Sequence, residues 1–136
     1  MSERRDFIKS SLLLAAGAAV GNSSTALAST GPYPSGVVYT ARDAGKWAKK
    51  IDSHAPKISV TGDKVTIRTE HGMSNSHFIV RHTLVSSNGK VIGEKTFSPK
   101  DEEAVSVFKL KKGGTKKFYA TSFCNKHDFW VTEFSL

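Results

Sequence analysis

The sequence predicts an all-β chain, folded as an antiparallel β-sandwich of about seven strands. Three observations lead there. From residue 57 onward, stretches such as Lys64-Val-Thr-Ile-Arg-Thr69 alternate apolar and polar side chains, the period of a half-buried strand. Seven such stretches follow one another at short, fairly even spacing. The breaks between them carry turn residues, and Asn88-Gly89 is the strongest hairpin signal in the chain.

The strands are read in order as follows. Lys57–Val60 ends at the turn Thr61-Gly62-Asp63, and Lys64–Thr69 returns from it. His77–Val85 is closed by Ser86-Ser-Asn-Gly89, and Lys90–Phe97 is its return strand, ending at Ser98-Pro99. Ala104–Leu110 leads into a second glycine turn, Lys111-Lys-Gly-Gly114. Lys117–Cys124 and Trp130–Leu136 complete the set. Short strands at this spacing belong to sandwiches. No internal repeat, low-complexity tract or glycine-rich phosphate loop interrupts them.

The N-terminal part has a different character. Arg4-Arg5 precedes Phe7, Ile8 and Lys9, an apolar run follows from Leu12 to Val20, and Ala26-Leu27-Ala28 offers small residues for cleavage. The run is too short to span a bilayer, and it lacks the period of an amphipathic helix. Residues 1–28 therefore read as a twin-arginine export signal, placing the mature protein in the periplasm or otherwise outside the cytoplasm, with no stable membrane insertion after cleavage. Residues 29–50 form a linker and lead-in. Gly31, Pro32, Pro34 and Gly36 interrupt regular structure, and Asp43–Ile51 is compatible with a short helix or an irregular segment. Residues 51–136 form the β domain.

With 136 residues and 38% hydrophobic content, the chain has enough apolar material for one packed core. Its formal charge of +8 becomes +7 once the signal, with three basic and two acidic residues, is removed. The basic residues are mostly scattered lysines, with no arginine stripe. This points away from nucleic acid and towards attraction of a small anion.

The chemistry concentrates in three short clusters. His54 lies in Asp52-Ser-His-Ala-Pro56, where the nearby proline predicts an extended, restricted segment. His71 and His77 lie in His71-Gly-Met-Ser-Asn-Ser-His77, the first in a loop and the second opening a strand. Cys124, the only cysteine, ends a strand, and Asn125 is a turn former that allows His127 to fold back beside the sulfur. All five fall at strand ends or in loops, where a rigid scaffold carries its sites. His82 differs. It lies inside a strand, five residues after His77, and so faces the other side as a surface or packed histidine.

Each of these residues alone has a plain structural reading, and Cys124 next to Phe123 could be a small buried hydrophobe. An exported lone cysteine, however, has no partner for an internal disulfide. Four imidazoles and one thiol gathered in three clusters point to a transition metal. Zinc usually takes four ligands. A blue-copper site wants two histidines, one cysteine and a methionine close after the last histidine. Here Phe129 and Trp130 follow His127, and Met73 is the only methionine of the mature chain. Four imidazoles in a plane with an axial thiolate suit iron with an open position, made electron-rich by the sulfur. Loading in the cytoplasm before export would let the cell choose iron over copper.

At these residues the chain resembles the superoxide reductase family, the iron-binding domain of desulfoferrodoxin and neelaredoxin. The family carries Glu-Lys-His-Val-Pro, then His-Pro-x-x-x-x-His, then Cys-Asn-x-His-Gly-x-Trp. The last matches Cys124-Asn-Lys-His-Asp-Phe-Trp130. The likeness runs from about Ile51 to the C-terminus, and without a second cysteine cluster it is to the one-iron, neelaredoxin-like type. It implies an immunoglobulin-like sandwich, equatorial His54, His71, His77 and His127, axial Cys124, and one iron per chain. It also implies one-electron reduction of superoxide to hydrogen peroxide, an electron donor protein, and often a homotetramer.

Four positions depart from the family. Asp52 replaces a glutamate that can occupy the sixth site, and it is the candidate acidic residue. Ser53 replaces the lysine that attracts superoxide, which leaves Lys50, with Lys49 and Lys126, as candidates to supply the charge. Gly72 replaces a proline, and Asp128 replaces a glycine. Two other classes stay compatible with the residues. One is an exported metal-binding electron carrier without superoxide turnover; the other is a β-sandwich carrier or binding module.

Overall fold

The computed structural model of the protein describes residues 33–111 and 114–136. The segment expected to be an export signal, with its expected cleavage site, lies outside the described residues, as does the middle of the second glycine turn. No described helix is long and apolar enough to cross a membrane.

Among the described residues, seven antiparallel strands form two sheets. They are β1 (Lys57–Thr61), β2 (Lys64–Thr69), β3 (Ile79–Ser86), β4 (Val91–Thr96), β5 (Ala104–Lys109), β6 (Lys117–Cys124) and β7 (Asp128–Ser135). One sheet has the order β1-β2-β5 and the other β4-β3-β6-β7, an arrangement shared with immunoglobulin-type sandwiches. The period-two pattern works as expected. In β2, Val65, Ile67 and Thr69 point inward and are buried, while their neighbours are partly exposed. Val65 and Ile67 meet Leu84 of β3 and Phe118 and Ala120 of β6 across the gap between sheets. The all-β sandwich of seven strands is thus the observed fold. Gly89, at φ +86°, closes the β3–β4 hairpin at the predicted Asn-Gly turn.

Two boundaries differ from the sequence reading by two residues, and the others agree to within one. His77 precedes β3 by two residues, because Ser74 and His77 exchange backbone hydrogen bonds in a tight turn and take His77 out of the ladder. At the other end, β7 begins at Asp128, since Asp128 and Phe129 pair with Cys124 and Phe123 and leave a loop of only three residues.

The described part of the lead-in, from residue 33, is packed against the β domain. A 3-10 helix at Gly45–Lys50 runs into a single α-helical turn, α1, at Ile51–His54. Of the two alternatives for this segment, the helix is what forms. His54 closes α1, so it is not on an extended segment: a proline restricts the residue directly before it, and here that is Ala55, at φ −66° and ψ 124°. Upstream, Tyr39 makes a parallel bridge to Trp130 of β7. Tyr39, Ala44, Ala55 and Trp130 form a second apolar cluster, with Trp47 and Ile51 against it. A third, of Ile79, Phe97, Ala104 and Cys124, fills one end of the sandwich.

Beneath that end lies a buried polar network joining the sheets. Thr69 Oγ1 of β2 is 2.7 Å from Ser122 Oγ of β6 and 2.8 Å from His82 Nε2 of β3, and His82 Nδ1 is 2.8 Å from Ser106 Oγ of β5. His82 is therefore a packed core histidine, 0% exposed, and its ring is not among the clustered donors. Its network also fixes the ends of the chain segments that matter, because Thr69 is two residues before His71 and Ser122 two before Cys124.

Candidate metal centre

The five residues singled out from the sequence converge. One donor atom from each of His54, His71, His77, Cys124 and His127 lies within 4.8 Å of all the others. They come from α1, from the loop between β2 and β3, and from the end of β6 with its turn. The thiol is the buried floor, with Cys124 at 1% exposure. His54 is also buried, and the other three imidazoles are partly exposed, so solvent reaches the cluster from one side.

The nitrogens form a chain of close neighbours. His71 Nε2 is 3.0 Å from His77 Nε2, His77 Nε2 is 2.9 Å from His127 Nδ1, and His127 Nδ1 is 3.1 Å from His54 Nε2. Adjacent ligands of one metal at the usual metal–imidazole distance of about 2.1 Å stand about 3.0 Å apart when the angle between them is 90°. The His54 and His71 rings meet edge-on at 4.6 Å, while the His54 and His77 rings stand 6.2 Å apart and near-parallel. This is the pattern of a four-membered ring with His54 opposite His77. Cys124 Sγ approaches His127 Nδ1 at 3.6 Å.

Hydrogen bonds set which nitrogen faces inward. His54 Nδ1 contacts the Lys50 carbonyl at 3.2 Å and Ser53 Oγ at 2.7 Å, and Ser53 Oγ donates to the same carbonyl. A carbonyl only accepts, so Nδ1 carries the proton and the Nε2 lone pair points into the cluster. His71 Nδ1 is held in the same way by the Gly72 carbonyl. Outward N–H groups bonded to carbonyls are what orient metal-binding histidines. His127 differs in presenting Nδ1, because it sits in the turn directly after Cys124. Lone pairs crowded at about 3 Å around a common centre fit a bound cation. Burial also favours the neutral rings that ligation requires. It lowers the pKa of His54 to about 4, helped by His71 and His127, and it leads the lowering at His71, His77 and His127.

Some residues around the cluster were not legible as site residues. Asn125, expected only as a turn former, clamps the segment carrying His77. Its Oδ1 accepts from Phe78 N–H and its Nδ2 donates to the Ser76 carbonyl, both at 3.0 Å. Trp130 Nε1 donates to the His127 carbonyl at 2.8 Å. Trp47 stands edge-on to the His127 ring, centroids 4.7 Å apart. The Cys-Asn-x-His-x-x-Trp spacing signals Asn125 and Trp130, whereas nothing local signals Trp47. Lys50 and Lys126 direct positive charge at the cluster, contributing to the lowered pKa values of His77 and His127. Asp52 is exposed on α1, two residues before His54.

Comparison with known proteins agrees with this geometry. No curated protein matches the chain. Among solved structures, the superoxide reductase (neelaredoxin) of Ignicoccus hospitalis is 27% identical, over 74% of this chain and 94% of its own, with a TM-score of 0.62. Superoxide reductases of Giardia intestinalis and Treponema pallidum share the fold at 23% and 22% identity. Their TM-scores are 0.58 and 0.52; each match covers 62% of this chain, and 99% and 69% of theirs. The desulfoferrodoxin family profile matches residues 45–133, from the 3-10 helix to the last strand and across all five donors. With those donors assembled around one point, the chain belongs to the desulfoferrodoxin family.

Proposed function

We propose that this protein is a one-iron superoxide reductase: superoxide takes up one electron and two protons and leaves as hydrogen peroxide, with no oxygen released. The observation that carries the proposal is the convergence of four imidazole nitrogens and one thiol at a solvent-reached end of the sandwich. Iron held by His54, His71, His77, His127 and Cys124 would supply the electron, and the thiolate would make it more electron-rich. An electron donor protein restores the reduced state.

The chain's own residues do the rest. Ser53, Lys50 and Gly72 hold His54 and His71 with their lone pairs inward. The charge of Lys50 bears on three of the four imidazoles, lowering their pKa values, and takes the part of the family lysine that Ser53 replaces. Lys126 adds to it. Positive charge around an open site raises the encounter rate with a small anion. Asp52, exposed on α1 two residues before His54, is the acidic residue proposed for the role of the family glutamate. Export by the twin-arginine route and assembly into a homotetramer are part of the same proposal, supported by the N-terminal sequence and by the family resemblance.

The test is direct. Protein purified with its metal should hold one iron per chain, and the reduced form should consume superoxide with one hydrogen peroxide formed per superoxide. Half a peroxide per superoxide would indicate dismutation and sink the reductase assignment. Zinc, or no metal, in the purified protein would sink the iron assignment. Replacing His71 or His127 by Ala should lower iron occupancy, while His82→Gln should not.

A further inference from the structure

The residue after the last histidine departs from the family's glycine, and the structure gives the departure a role. Asp128 has φ +69°, the only non-glycine residue with positive φ among those described. Glycine holds that conformation without penalty, whereas a residue with a side chain is strained there, aspartate and asparagine least. Such strain persists where the surroundings over-determine it. Here the side chain makes a bond that glycine cannot: Trp47 Nε1 donates to Asp128 Oδ2 at 2.8 Å. Lys46 lies 4.0 Å from the same oxygen and 4.8 Å above the Trp47 ring. Both ends of that ion pair are exposed, so its own contribution is small.

Trp47 in turn packs against His127 at an interplanar angle of 89°. His54 and His71 are oriented by hydrogen bonds from their outward nitrogens to carbonyls. The described contact on the His127 ring outside the cluster is the Trp47 indole. Trp130 anchors the backbone carbonyl of His127, which leaves ring rotation free.

We infer that Asp128 is a positioning residue for the metal centre. Its carboxylate fixes the Trp47 indole edge-on against His127 and so keeps Nδ1 of that imidazole turned into the cluster. The bond also pins the 3-10 helix, which leads into α1 and His54, to the turn that carries His127. Two of the three segments that carry the imidazoles are thereby held in register by one side chain. The inference deepens the proposed iron site and rests on it.

The experiment measures iron loss from the full-length, iron-loaded protein into excess ferrous chelator. Four variants are compared with the parent: Asp128→Gly, Asp128→Asn, Trp47→Phe and the Asp128→Gly/Trp47→Phe pair. Glycine suits the backbone at this position, so Asp128→Gly folds without new strain and isolates the lost acceptor. It should release iron about two- to tenfold faster, the change that loss of one hydrogen bond of ordinary net strength produces. Asp128→Asn keeps an acceptor and tolerates the same φ, so it should restore the parent rate. Trp47→Phe keeps a ring but loses the N–H, so it should match Asp128→Gly, and the pair should be no faster than either. The Trp47 indole N–H, followed by ultraviolet resonance Raman, should lose its hydrogen-bonded signature in Asp128→Gly and keep it in Asp128→Asn. An unchanged release rate in Asp128→Gly, additive effects in the pair, or failure of Asn to rescue would overturn the inference. The iron content of the parent, read before any comparison, separately tests the proposed function.

Discussion

His82 should make the stability of this fold fall with acidification in a way that belongs to the core and not to the metal centre. It is fully buried between the sheets, and its pKa is lowered to about 4 from the ordinary 6.5, first by burial and then by the charge of Lys95. The sign follows from proton binding. Between 6.5 and about 4 the unfolded chain takes up a proton at this position and the folded chain does not, so acid favours unfolding across that window. The stabilisation is complete above 6.5, is lost as pH falls, and the loss levels off below about 4. At 1.36 kcal/mol per pH unit, the whole gap corresponds to about 3 kcal/mol, of which about 2 kcal/mol is gone by pH 5. The assay is urea unfolding at pH 7 and pH 5 for the parent and for His82→Gln, loaded with equal metal. Glutamine can bond to Thr69 and Ser106 but does not titrate, and both proteins share whatever the cluster histidines contribute. The parent should therefore lose about 2 kcal/mol more than the variant over this interval. Equal losses would refute the reasoning and show that His82 is already charged, or becomes so at no cost, in the folded protein.

Four other outcomes follow from particular contacts. Cys124→Ser should abolish the visible thiolate-to-iron band of the oxidised protein and leave the strand content by circular dichroism intact, because the hydroxyl fits the space of the thiol. Gly93→Ala should lower stability by about 1–3 kcal/mol in chemical denaturation; an added Cβ would come within 2.4 Å of Cδ1 of the Phe108 ring that packs over this glycine. Lys50→Ala should slow the second-order reaction with superoxide and weaken its decline with added salt in pulse radiolysis, since exposed charges are screened beyond about 10 Å at 0.1 M. Ser53→Lys should raise the rate through its charge while speeding iron loss, because the hydroxyl that contacts His54 Nδ1 is removed.

Most of the fold was legible along the chain because strand burial is a local code. In β2, alternate residues must face the core whatever they meet there, so Val65 and Ile67 announced their face before any partner was known. The Asn88-Gly89 turn was equally local, since it depends on which residues tolerate positive φ. The donor set was legible for another reason. Metal ligation demands particular atoms, and His54, His71, His77, Cys124 and His127 stood in motifs whose spacing belongs to that demand. Their exact settings were less so: the single turn of α1 under His54, and the tight turn that keeps His77 out of β3, were settled by backbone hydrogen bonds that leave little trace in composition.

What only the packed molecule decided is how separate segments act on one another. Residue types alone do not reveal that His127 presents Nδ1 while the other three imidazoles present Nε2, because the choice depends on where the folded backbone sets each ring relative to the shared centre. The same holds for His82, whose buried partners Thr69 and Ser106 come from the opposite sheet. Trp47 and Tyr39 lie in a stretch with no strand period and no ligand motif, yet they seat against His127 and Trp130. The sequence determined which atoms could bind a metal and which faces of the strands would be buried, since both are properties of single residues and their immediate spacing. Tertiary structure determined orientation and support, since a hydrogen bond such as that from Trp47 to Asp128 joins residues 81 apart and exists only once the chain has folded around it.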